Sequence, residues 1–162
     1  NSKEGEPVFF KLNSIEKISG GAFSDGGHYQ DFSCSDNTVL ELGTTYNVVT
    51  ESFYTNVTRN QLFIDYNNDG DFLDAGEEVL FWDNTSPPAG LQTQSFTTPA
   101  APVLNTLLRM RVIASRDSET ITPCMTTSRG QVHDFGVYFS DLIASVSISV
   151  APMFTDFVEM SE

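Results

Sequence analysis

The sequence predicts an all-β protein, an antiparallel β-sandwich of jelly-roll or immunoglobulin-like type. Three observations lead there. Apolar residues recur with a period of two rather than 3.6. Clusters of Gly, Pro, Ser and Asp punctuate the chain at short intervals. No stretch combines helical periodicity with capping residues. Many short strands separated by such turns bury their apolar faces best as two packed sheets.

The elements follow in order. Strands are expected near residues 8–17, 38–42, 45–52, 60–66, 77–82 and 91–97. Three later segments alternate most clearly. Leu108, Met110, Val112 and Ala114 alternate with Arg109, Arg111 and Ile113. Val132, Asp134, Gly136 and Tyr138 alternate with His133, Phe135, Val137 and Phe139. Ala144, Val146, Ile148 and Val150 alternate with serines, which predicts a strand over 142–150. Breaks at Ser19-Gly20-Gly21, Ser24-Asp25-Gly26-Gly27, Ser86-Pro87-Pro88-Ala89-Gly90 and Pro99-Ala100-Ala101-Pro102 mark turns. Residues 1–150 read as one domain, and 151–162, with Pro152 and several acids, as a C-terminal tail or linker.

Composition narrows the function. The 162 residues suffice for one domain with a real core. Eight basic against 22 acidic residues give a net charge of −14. A nucleic-acid binder needs a basic face, and an anionic membrane attracts one, so both partners are disfavoured. No apolar run is long enough to span a bilayer. Asn1 is not an initiator Met and no signal peptide is present, so the chain is expected to be a processed or excised fragment. Cys34 and Cys124 both lie in polar, turn-rich segments. A bridge between them is expected; it would close a loop of about 90 residues, contribute about 4 to 5 kcal/mol and imply an oxidising, extracellular setting. The alternative is two separate thiols. Asn56-Val57-Thr58 and Asn84-Thr85-Ser86 are glycosylation sequons, a triplet that also arises often by chance.

Residues 65–78 carry the sharpest chemical signal. They read Asp-Tyr-Asn-Asn-Asp-Gly-Asp-Phe-Leu-Asp-Ala-Gly-Glu-Glu. Oxygen-bearing side chains recur at every second position: Asp65, Asn67, Asp69 and Asp71. A hard cation such as Ca2+ takes six to eight oxygens, and Gly70 permits the sharp turn that gathers them. Without a cation, two carboxylates about 4 Å apart repel by about 4 kcal/mol at an effective dielectric of about 20. The first six positions match an EF-hand loop, but Gly76 occupies position twelve, where an EF-hand has its bidentate Glu, and Glu77 comes one residue late. The flanks are short, apolar and rich in β formers. The expected arrangement is therefore strand–loop–strand, with Asp65, Asn67, Asp69, Asp71 and Glu77 holding Ca2+. A solvated hairpin loop rich in turn formers is the bland alternative.

No catalytic constellation accompanies it. The two histidines are His28 and His133, and His133 and Asp134 face opposite sides of a strand. No nucleophile elbow, zinc-protease motif or phosphate loop occurs. The chain is expected not to be an enzyme. Trp82 and Tyr54 are the candidates for stacking on a ligand, with core packing of Trp82 as the alternative.

Several motifs then fall in a telling order. Tyr29-Gln30-Asp31-Phe32 precedes Leu40-Glu41-Leu42-Gly43-Thr44-Thr45-Tyr46; Phe63 to Phe72 and Gly76 to Val79 follow; then Leu108-Arg109-Met110-Arg111-Val112, Pro123-Cys124, and Gly130-Gln131-Val132-His133-Asp134-Phe135. Over roughly residues 15 to 140 the chain resembles the GEVED domain, a module of secreted bacterial proteins. The resemblance implies an accessory domain beside secreted metallopeptidases, other extracellular hydrolases or large surface proteins. Its partners would be neighbouring domains of the same polypeptide and a polysaccharide or extracellular protein ligand. A structural spacer or adhesin repeat with no ligand except calcium is the alternative. The naming motif departs from the family: Gln131 and His133 stand where its glutamates stand, and Gly130, Val132 and Asp134 match. A second site at Gln131, His133 and Asp134 is left open, and Asp134 is expected as a packing or hydrogen-bonding acid opposite Arg109 or Arg111.

Overall fold

The structure, a computed structural model, describes residues 6–19, 28–53, 58–84, 90–116, 120–125, 127 and 130–140. Two sheets pack face to face. The first has four strands: β1 (Glu6–Leu12), β2 (Ile15–Ile18), β5 (Thr45–Phe53) and β8 (Gln92–Thr97), in the order β2-β1-β5-β8. The second holds β3 (Tyr29–Asp31), β4 (Asn37–Glu41), β6 (Thr58–Ile64), β7 (Glu78–Asn84), β9 (Leu108–Arg116) and β10 (Gln131–Ser140). Its order is β3-β10-β9-β6-β7, with β4 also on β10. The expected strand over 142–150, the tail from 151 and Tyr54 lie outside the described residues.

The sandwich holds, with two differences. The single strand expected over 8–17 is a hairpin, because Asn13 adopts a left-handed φ of 49° between β1 and β2. Asn is among the few side chains that tolerate this region. The second sheet is mixed rather than wholly antiparallel: β3 and β4 both run parallel to β10, one after the other along the same edge.

The core lies between the sheets. Phe10, Leu12, Ile15, Val48 and Phe96 from the first sheet meet Leu62, Ile64, Trp82, Met110, Phe135 and Phe139 from the second. Phe10 and Phe135 stack across the gap with ring centroids 4.8 Å apart. Strand β9 shows why alternation is legible at its start and lost at its end. Leu108, Met110 and Val112 face the main core, but Ile113 is also buried, in a second cluster with Phe63, Phe72 and Val132 on the outer face. Strand β10 is buried along most of its length, since strands flank it on both edges and packing covers both faces.

Gly130 enters β10 where the chain presses on β9. A Cβ there would overlap the Ala114 carbonyl oxygen and stand 2.7 Å from the Ser115 Cα. Both obstacles are backbone, which cannot swing aside. Gly130→Ala is therefore expected to cost about 1–3 kcal/mol, the usual penalty of overpacking. Urea denaturation reads this directly, and an unchanged midpoint would contradict so close an approach.

Candidate metal centre

The run Asp65–Glu77 joins β6 to β7, as the flanking strands predict. The loop is closed at its neck by the Ile64 amide donating to the Glu77 carbonyl at 3.0 Å. It is anchored to the neighbouring strand by the Asp65 amide, which donates to the Arg109 carbonyl at 3.0 Å. Asn68, Gly70 and Gly76 take positive φ of 59°, 96° and 96°. These three reversals let thirteen residues curl into a compact turn instead of extending the hairpin.

The curl is drawn tight by the side chains the alternation singled out. Asp65 accepts the amides of Asp69 at 3.2 Å and Gly70 at 3.0 Å. Asn67 Oδ1 accepts the Asp69 amide at 2.9 Å, Asp69 Oδ1 the Asp71 amide at 3.1 Å, and Asp71 Oδ1 the Leu73 amide at 2.8 Å. Each is an Asx-type turn spanning two residues, which explains why the period is two. The Asp71 amide, with the Asn67 side chain after it, holds the Asp69 carboxyl below its ordinary range.

The carboxylates then converge. Asp69, Asp71 and Asp74 each present an oxygen, and these lie within 4.8 Å of one another. The triad could hold a metal ion. Asp74 is the member that sequence reasoning missed; it falls outside the alternating positions, three residues after Asp71. The Asn67 amide donates to Asp69 Oδ2 at 3.0 Å and to Asp74 Oδ2 at 2.6 Å, bringing positive dipole to a spot crowded with negative charge.

Asp65 and Glu77 are the buried acids of the loop, 3% and 2% exposed. Glu77 Oε1 accepts the Tyr66 amide at 2.9 Å, while Oε2 is buried with no hydrogen-bond partner. Burial pushes the Glu77 carboxyl up, and the charge of Asp65 adds to this against three backbone hydrogen bonds. The Tyr66 hydroxyl is pushed up too, by burial first and Glu77 second. A buried carboxylate oxygen without a partner costs free energy that a coordinated cation would recover. The residues present therefore fit a hard cation: oxygen donors only, one of them orphaned in the interior. Two anchors hold the loop on the core. Tyr66 packs on Phe139, and Phe72 packs on Phe63 with the Arg111 guanidinium 5.2 Å from its ring centre.

The remaining sequence candidates are dispersed. Trp82 is 5% exposed within the main core, so its ring is not a surface platform; the neighbouring Phe81 faces outward instead. The bridge expected between Cys34 and Cys124 is not formed, and both are exposed free thiols. A bridge needs close Cα atoms, which polar, turn-rich sequence context does not specify. Gln131 and His133 are buried, 0% and 1% exposed. Gln131 accepts the Ser19 hydroxyl at 3.3 Å, and His133 lies edge-on to Phe32 and Phe135. Asp134 is the buried acid expected opposite the arginines. Its oxygens accept Arg111 Nε at 2.6 Å and Nη2 at 2.7 Å, and the Tyr29 hydroxyl at 2.9 Å, with Arg109 Nε at 3.9 Å.

Comparison with known families finds one matching domain model. The GEVED domain model matches residues 59–138, a stretch that holds the acidic loop, the Arg109–Arg111 strand and the Gly130–Asp134 segment. That family suggests an accessory module of multidomain proteins. No curated protein matches the chain.

Proposed function

We propose that this chain, whose residues 59–138 match the GEVED domain family, is a non-catalytic, calcium-stapled accessory domain of a secreted or surface bacterial multidomain protein. The observation that carries the reading is the acidic loop. The loop carries a triad of converging carboxylates and, at its base, a buried acid pair, one oxygen of which has no partner. Asp65, Asn67, Asp69, Asp71 and Glu77 would hold Ca2+, joined by Asp74. Bound there, Ca2+ supplies positive charge that fixes the loop between its strands. In this reading its role is structural. The excess of negative charge and the absence of any basic residue from residues 60–108 favour a cation there.

Asp69→Ala is expected to weaken Ca2+ binding at least tenfold while leaving the fold intact, and Asp74→Ala to weaken it less. Titration calorimetry checks both. Wild-type affinity in Asp69→Ala would remove that residue from the ligand set.

Two roles remain for such a module. A polymer-binding face needs grouped aromatics. The exposed aromatics among the described residues are Tyr29 and Phe81, on β3 and β7, at opposite ends of the second sheet. This separation favours the structural spacer over the polymer binder. A pull-down on insoluble polysaccharides and on gelatin, with and without EDTA, distinguishes them. Calcium-dependent retention on either would overturn the spacer role and restore polysaccharide or protein binding.

A further inference from the structure

Away from the acidic loop, His28, Tyr29, Arg111, Cys124, Met125 and Val132 line one cavity of about 520 Å3. Three of these side chains offer donor atoms of a different kind from the loop: an imidazole, a thiol and a thioether. We propose that His28, Cys124 and Met125 form a site for a soft monovalent cation, copper(I) being the one that matches the donors.

The imidazole is prepared for the role. His28 Nδ1 lies 2.6 Å from the Gly130 carbonyl oxygen. A carbonyl only accepts, so Nδ1 carries the proton and Nε2 is left with its lone pair. Histidines that bind metals characteristically donate their other ring N–H to such a partner. The main chain is fixed as well: the His28 carbonyl accepts the Val132 amide at 2.7 Å, and Gly130 is wedged against the Ala114–Ser115 backbone.

The sulfur donors come on a turn that is also held. The Met125 amide donates to the Thr122 carbonyl at 3.1 Å, and the Pro123 carbonyl accepts Arg111 Nη1 at 2.7 Å. Cys124 is a free, exposed thiol, and Met125 is half-buried against the Phe63, Phe72, Ile113 and Val132 cluster.

Donor type and charge select the ion. One nitrogen and two sulfurs suit copper(I), whereas Ca2+ and Mg2+ take oxygen. The Arg111 guanidinium in the same lining repels a divalent ion more than a monovalent one, and both oxygens of Asp134 are already committed to it. A thiolate with copper(I) is neutral. Binding replaces the thiol proton, which leaves to solvent, so affinity rises with pH.

The test is an anaerobic copper(I) titration of the reduced 162-residue chain against a chromogenic chelator, with Ca2+ saturating throughout. The background is Cys34→Ser. One equivalent is expected to bind, with a thiolate-to-copper absorption band. Cys124→Ser should lose about a hundredfold or more in affinity along with the band. His28→Gln and Met125→Leu should each lose about tenfold. Matching circular dichroism spectra show that the variants are folded. Undiminished binding in Cys124→Ser would overturn the site, as would indifference to both His28→Gln and Met125→Leu. Zinc(II) binding more tightly than copper(I) would overturn the choice of ion. Calorimetry with Ca2+ alone reports separately on the acidic loop.

Discussion

Removing the cation from the acidic loop is expected to lower the melting temperature by about 5 to 10 °C. A ligand that binds only the folded state, present at a hundred times its dissociation constant, contributes about 2.7 kcal/mol. In a domain of this size each kcal/mol moves the midpoint by about 2–4 °C. The loop has the connections to transmit the loss. Its neck is the Ile64–Glu77 pair, its Tyr66 carbonyl accepts the Val103 amide at 2.8 Å, and Tyr66 and Phe72 reach separate clusters. Scanning calorimetry of calcium-loaded protein before and after EDTA measures the shift. Glu77→Gln adds a second readout, because an amide can occupy the buried position without the unpartnered charge. Its midpoint should rise above that of cation-free wild type and respond weakly to EDTA. An EDTA-insensitive midpoint in loaded wild-type protein would sink the calcium reading.

Much of this is written locally in the chain, and what is not has physical reasons. The period of two over Asp65–Asp71 is legible because each side chain bonds an amide two residues on, or a little further for Asp65. Asp74 is not legible, since its place in the triad depends on the closed shape of the loop and not on a spacing. Strand β9 reads cleanly where one face meets the core, and stops reading at Ile113 where the second cluster covers the other. Strand β3 has three residues and pairs in parallel with a strand about a hundred residues away, so neither length nor alternation announces it. Trp82 sits on an edge strand whose neighbour Phe81 is half-exposed, and local pattern alone does not say which ring turns inward. The acid at 134 was legible as a partner for an arginine because a charge in so apolar a strand demands one.

That pair sets the second large effect. Asp134 is completely buried, and the Arg111 side chain is only 13% exposed. Their two short hydrogen bonds leave little of either charge to water. The pair raises the pKa of Arg111, while the Tyr29 hydroxyl is pushed up by burial and then by its bond to Asp134. Asp134→Ala would leave a guanidinium buried between Phe72 and Tyr29 with its main acceptor gone. The expected cost is about 3–5 kcal/mol, the range for breaking a buried pair from one side. Arg111→Met should cost a similar amount by stranding the carboxylate, and it also releases the Pro123 carbonyl from Arg111 Nη1. The double variant Arg111→Met, Asp134→Leu removes both charges together and should recover most of the loss, because matched apolar groups often replace an ion pair at little net cost. Urea unfolding of the two single variants and the double gives the coupling energy. Additive losses would mean that the arginine and the aspartate stabilise the sheet independently. A double variant more stable than either single one would show that each charge is tolerated in this apolar sheet chiefly because the other is present.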